Sequence, residues 1–254
     1  MFRRNPLYSP CYQLITAHYL LFSVMDPIYR ALIVCTNHTD YPTRPQKTGL
    51  WLSEATHFYD ELADRNLPYD IASPNGGLIP IDEKSIDRRD TINEKWYNDP
   101  TFRQKLEHSL RLDEVNPANY QILYFTGGHG TMWDFSDNLT LQSITRQIYE
   151  NGGMVSAVGH GVSGLLNVKL SDGSSLIGNR QVTGFSNVEE KLIRLNDQVP
   201  FLLEDALRQK NALYSKGFVP FLPYIEVDER LVTGQNPLSA RKVGRKVMEE
   251  MYEK

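Results

Sequence analysis

The chain reads as an α/β protein with a mostly parallel sheet covered by helices on both faces, and three observations predict it. Short apolar runs alternate along the sequence with segments of helical periodicity, the order that builds parallel strands joined by crossover helices. The runs lack polar alternation, as strands buried on both faces do. Two of them end in glycine-rich turns, Gly127-Gly128-His129-Gly130 and Gly159-His160-Gly161, and ligand groups in such folds gather beyond the carboxyl ends of strands.

The elements follow in order. Residues 31–35 (ALIVC) predict a buried first strand, and residues 36–46, rich in Asn, Asp, Thr and Pro, a loop. Residues 47–65 predict a helix, because Trp51, Ala55, Phe58 and Leu62 recur at spacings of four, three and four. A second strand at 69–73 is closed by Pro74-Asn75-Gly76-Gly77. The polar stretch 82–119 reads as a surface insertion on the edge of the core, with a helix near 102–110. Residues 121–126 (QILYFT) form a third strand, 139–151 an amphipathic helix ended by Gly152-Gly153, and 154–158 a fourth strand. Further strands are expected at 181–185, 223–228 and 230–234. A helix is expected at 199–209, and Asn236-Pro237 opens a last one.

Composition bounds the function. The 254 residues are 41% hydrophobic and 23% charged, with a net charge of −4, ordinary for one large globular domain. No Lys/Arg block offers a nucleic-acid footprint, and no run approaches the roughly 20 apolar residues that span a bilayer. Two cysteines, Cys11 and Cys35, make no CxxC pair; a disulfide framework is not expected and a reducing cytoplasm is. Residues 1–29 are read as an N-terminal extension and 30–254 as a single domain. Arg3 and Arg4 before the apolar stretch 14–24 have the outline of a weak signal peptide, but His18 and Tyr19 interrupt it and no small-x-small cleavage site follows.

Three loci carry chemistry. Glu54 follows Trp51 by three and precedes Phe58 by four, so it shares their apolar face. Such a carboxylate either reaches solvent at the edge of the stripe or is buried and then hydrogen-bonded or protonated. Residues 154–167 (MVSAVGHGVSGLLN) have the strand–turn–helix layout of a nucleophile elbow, yet the elbow position is Gly159, which has no side chain. The turn after it still aims N–H groups at a ligand oxygen. The glycines of residues 127–130 let main-chain N–H groups approach a ligand, in a pattern that matches neither a P-loop nor GxGxxG.

KTGLWLSE (47–54), GGHGTMWDF (127–135), AVGHG (157–161), VTGFSNVEE (182–190) and LVTGQNP (231–237) together resemble the DJ-1/PfpI superfamily, and most of all its branch of heat-shock chaperones and glutathione-independent glyoxalases (glyoxalase III). The resemblance runs in order over residues 30–251. It implies a flavodoxin-like three-layer sandwich related to class I glutamine amidotransferases, and commonly a homodimer. The family elbow reads A-V-C-H-G, so the nucleophilic cysteine falls on Gly159 and the adjacent histidine on His160. The carboxylate that meets the cysteine falls on Glu54, and the acidic partner of the histidine on Glu190. Oxyanion-type donors fall on Gly128 and His160.

The missing thiol decides the expected function. Glyoxalase, deglycase and protease chemistry of this family needs a thiolate that adds to a carbonyl. Cys35, on the first strand, and Ser163, four residues past the elbow, are poorly placed to replace it. The chain is therefore expected to be a stress-response pseudoenzyme, binding a small carbonyl-type ligand or unfolded protein. The alternative is a lyase or hydrolase in which Glu54 and His160 polarise a water against a carbonyl or amide. Neither a cofactor nor a resident metal is expected. His57 follows Glu54 by three on the same helix, a spacing compatible with shared coordination, and His129 could approach from the GGHG loop, but hydrogen-bonded or solvated histidines are the plainer reading. Trp133 and Phe135 suggest an aromatic-lined cleft.

Overall fold

The computed structural model describes residues 29–252. The expected extension therefore lies outside the described residues except for Tyr29, and with it Cys11 and the stretch 14–24. A seven-stranded sheet forms the middle layer. Its strands are β1 (Ala31–Val34), β2 (Tyr69–Ser73), β3 (Leu110–Arg111), β4 (Ile122–Phe125), β5 (Met154–Val158), β8 (Ile225–Asp228) and β9 (Leu231–Gly234). They lie side by side in the order β3-β2-β1-β4-β5-β9-β8. Every pairing is parallel except β8 with β9, which the tight turn at Glu229 folds back antiparallel at the edge.

The two faces are built by strand alternation. Leu32, Val34, Leu123, Phe125, Val155 and Ala157 point to one face, where α5 (Leu139–Glu150) adds Leu141, Ile144 and Ile148. Ala31, Ile33, Tyr124, Met154 and Val158 point to the other, where α1 (Leu52–Ala63) and α8 (Ala240–Tyr252) contribute Phe58, Leu62, Val243 and Val247. This is the three-layer α/β sandwich that the alternating pattern predicts. The chain leaves β1 for β2 on one side and returns for β4 on the other, so a topological switch point lies between β1 and β4.

Several expectations shift. The helix expected from residue 47 begins at Leu52, because Leu50 exchanges main-chain bonds with Pro80 and Asp82 and is held extended. The stretch 82–119 is more than a surface insertion. It holds α2 (Thr91–Tyr97), α3 (Pro100–Glu107) and the edge strand β3, and it buries Phe102, Leu106 and Leu112. The strand expected at 181–185 stops after β6 (Gln181–Val182), which pairs with β7 (Leu213–Tyr214) in a separate two-stranded sheet. Phe185 instead turns toward the elbow and donates its N–H to the Gly159 carbonyl at 3.4 Å. The helix expected from 199 is α7 (Leu203–Gln209). Three short helices went unread, α2 together with α4 (Thr131–Asp134) and α6 (Asn187–Leu192). Among the described residues no helix is long and apolar enough to cross a membrane.

Candidate active site

The site lies beyond the carboxyl ends of β4 and β5. Glu54 comes to it from the first turn of α1. Phe58 stacks on Tyr124 with ring centroids 3.6 Å apart, and the Tyr124 hydroxyl donates to the Glu54 carbonyl oxygen at 2.7 Å, which pins that turn onto β4. The Glu54 side chain is 2% exposed, so the solvent-reaching alternative is overturned. Its Oε2 accepts the Gly127 N–H at 2.6 Å. Burial pushes the carboxyl well above the usual carboxylate range, overriding the Gly127 N–H that favours the anion. Burial thus favours the neutral acid form of Glu54. Residue 127 must be glycine for this contact, since a Cβ there would stand 2.2 Å from Glu54 Oε2.

At the elbow β5 runs into a 3-10 turn, Gly159–Leu165, rather than an α-helix. Gly159 has φ +55°, the left-handed conformation of a strained elbow that glycine accepts without a Cβ clash. A Cβ built on Gly159 would lie 3.0 Å from Glu54 Oε1 and 3.2 Å from Oε2. The missing side chain therefore faces the carboxyl group of Glu54. As the first residues of their turn, Gly159 and His160 have N–H groups with no acceptor inside it.

Behind the elbow, Glu190 from α6 bridges two imidazoles. Its Oε2 is 2.7 Å from His160 Nε2 and its Oε1 is 2.9 Å from His129 Nε2, with all three side chains buried. The two rings lie 4.0 Å apart. Burial alone would raise the Glu190 carboxyl, but the charge and hydrogen bonds of the two histidines outweigh it and hold it below the usual range. Burial first, and His160 second, push His129 down to about 4 against the pull of Glu190. The structure thus brings together Glu54, Gly159, His160 and Glu190, with Gly128 beside them.

It also adds His129 to the Glu190 pair, which the spacing with His57 had not suggested. His57 lies elsewhere, with Nε2 2.7 Å from Asp90, so shared coordination with Glu54 is overturned. Instead the donor atoms of His129, His160 and Glu190 lie within 4.8 Å of one another, where they already satisfy each other by hydrogen bonds. Ser163 is buried, its hydroxyl donating to the Thr131 carbonyl at 3.0 Å, and Cys35 is sealed in the core with its thiol pushed up to about 12 by burial.

A pocket of about 110 Å³ opens over the site, lined by Glu54, His129 and His160 and by the aromatic rings of Trp51, Phe185 and Phe221. The rings proposed from sequence are not those. Phe135 packs edge-on against Phe125 in the core, and Trp133 stacks on His38. Phe185 and Phe221 sit in loops with no periodicity to mark them. Ser186-x-x-Glu189 did carry a signal, because it is a capping box that starts α6 and so places Glu190.

Fold and site define an α/β protein in which a left-handed glycine follows the central strand β5, an acid faces it and a carboxylate joins two buried histidines behind it. A model described as the DJ-1/PfpI family matches residues 52–250, and the chain belongs to that family. It is 32% identical over 224 residues to the glutathione-independent glyoxalase HSP31 of Saccharomyces cerevisiae, covering 83% of this chain and 93% of the relative. The crystal structure of Rapid Encystment Protein 24 KDa from Francisella tularensis superposes with a TM-score of 0.85 at 40% identity, over 88% of this chain and 99% of that one. Glyoxalase III of Candida albicans superposes with a TM-score of 0.81 at 26% identity, over 88% and 97%. The Saccharomyces and Candida relatives are named as glyoxalases, in keeping with the glyoxalase III-like branch that the motifs indicate.

Proposed function

We propose that this chain keeps the carbonyl-binding pocket of the glyoxalase III-like branch but has no nucleophile of its own, so thiol-based glyoxalase, deglycase and protease chemistry are lost. The observation that carries this is Gly159: its missing Cβ faces Glu54 at 3.0 Å while His160 and Glu190 stay paired at 2.7 Å. A buried acid, an oriented imidazole and turn N–H groups suit the polarisation of a carbonyl oxygen. The names of its relatives as glyoxalases point the same way.

The test is methylglyoxal consumption by the purified protein beside its Gly159→Cys variant, with no thiol added. The parent is expected to be inactive and the variant to gain turnover that iodoacetamide abolishes. Turnover by the parent would instead favour water polarised by Glu54 and His160. A second role, holding unfolded protein, is favoured by exposed Leu192, Phe218, Val219 and Leu222, which lie in the chain segments that carry the pocket residues Ile193 and Phe221. Suppression of thermal aggregation of a client protein, lost when Phe218 and Leu222 are both changed to Ser, checks it.

A further inference from the structure

We propose that the pocket takes its sulfur from solution, and that its substrate class is the hemithioacetal formed by a small free thiol and a 2-oxoaldehyde. The proposal rests on the carbonyl-directed reading above and names its substrate. Among the described residues Cys35 is the one thiol, and it is fully buried in the core. The space where an elbow side chain would stand is bordered by Glu54 Oε1, and Glu54 and His160 line the adjoining pocket. A substrate that carries its own sulfur can place it there. The pocket volume of about 110 Å³ suits a small alkyl thiol adduct whose tail leaves through the mouth.

The chemistry balances without an oxidant or reductant. Addition of the thiol to the aldehyde forms the S–C1 bond in solution, and the thiol proton goes to the aldehyde oxygen. In the pocket, Glu190 holds His160 through Nε2, which leaves Nδ1 as the base. Nδ1 takes the C1 proton, and the C1–H electron pair becomes a C1=C2 bond. The Glu54 acid gives its proton to the oxygen at C2, whose carbonyl becomes a hydroxyl. The C1 hydroxyl then returns a proton to the Glu54 carboxylate as it becomes the thioester carbonyl, and His160, after exchange with solvent, delivers a proton to C2. The net reaction isomerises a hemithioacetal to a 2-hydroxyacyl thioester.

The experiment uses the full chain, methylglyoxal and 2-mercaptoethanol, with thioester formation followed by ultraviolet absorbance and the product examined by NMR in deuterated water. The parent is expected to form thioester only with the thiol present, at least about a hundredfold faster than the protein-free mixture, the lower end of positioned acid–base catalysis. Solvent deuterium is expected at C2. Gly159→Ala, which fills the sulfur position, and His160→Ala are each expected to abolish the gain, with unfolding curves confirming that both variants fold. No thioester from the parent, while Gly159→Cys turns over methylglyoxal unaided, overturns the external thiol and leaves the carbonyl reading standing. Parent turnover without thiol also overturns it. Inactivity of both proteins under all conditions overturns both readings.

Discussion

Glu190 is a buried carboxylate with two imidazoles on its two oxygens, and removing it leaves two buried ring nitrogens without their acceptor. Glu190→Ala is therefore expected to lower stability by about 3 kcal/mol, the usual cost of breaking a buried pair from one side, measured by urea unfolding. Tyr124→Phe is a milder change: the stack on Phe58 remains and one hydrogen bond to Glu54 is lost. A loss of about 1 kcal/mol is expected in the same assay. Glu54 shows how far one residue can be read from sequence. Helical spacing put it on the apolar face, but its burial depends on Gly127 and Gly159, which meet it only after the chain has crossed the sheet. The resemblance supplied Glu190 as the histidine's partner. Its second bond, to His129, came from a loop 61 residues away, a distance that no local pattern spans.

At the scale of elements, α6 and the segment after β7 form one side of the pocket, and Glu189 joins them. Fully buried, it accepts from the Ser186 N–H at 3.0 Å, the Ser186 hydroxyl at 2.8 Å, the Phe221 N–H at 2.8 Å and the Asn236 amide at 2.9 Å. Phe221 has φ +63°, a conformation unfavourable for an aromatic residue and held here by that N–H bond. Glu189→Ala is expected to destabilise the fold by roughly 2–3 kcal/mol, since buried donors lose a charged acceptor, and to release Phe221 from the pocket wall. Faster hydrogen exchange across residues 217–223 would register the release. The central strands were legible almost to the residue, β2 and β5 coinciding with short runs bounded by turn residues, whereas the two-residue strands β3 and β7 carry too little pattern to be read. Helix α6 was not, because six mostly polar residues show no full period and only the capping box marks their start. The pocket wall was illegible for a related reason, as Phe185 and Phe221 are placed by long-range bonds rather than by periodicity.

For the whole molecule, buried titratable groups pulled in opposite directions set the response to acid. His129 is held at about 4 by burial, below its ordinary 6.5, so the unfolded chain binds its proton first. Stability from that group is complete above pH 6.5 and is lost as pH falls toward 4. Asp134 works in the opposite sense. It accepts from the Thr36 hydroxyl and the Asn37 N–H, each at 2.8 Å, but its other oxygen is buried without a partner. Burial lifts its carboxyl from 3.8 to about 6, so the folded protein binds this proton first and gains stability as pH falls through the same window. A tenfold change in proton affinity is worth about 1.4 kcal/mol, which makes the His129 loss and the Asp134 gain similar in size and leaves the gain from Glu54, whose carboxyl is also raised by burial, uncancelled. Between pH 6.5 and 4.5 the unfolding free energy is therefore expected to rise as pH falls. Below that window Glu190, depressed by its two histidines, loses its pairing on protonation and stability falls. Asp134→Asn removes one side of the balance while keeping an acceptor for Thr36 and Asn37. Urea unfolding of that variant is expected to show a clearly flatter rise from pH 6.5 to 4.5, the loss due to His129 now set against Glu54 alone. A variant whose stability rises as steeply as the parent's would show that Asp134 does not offset the histidine.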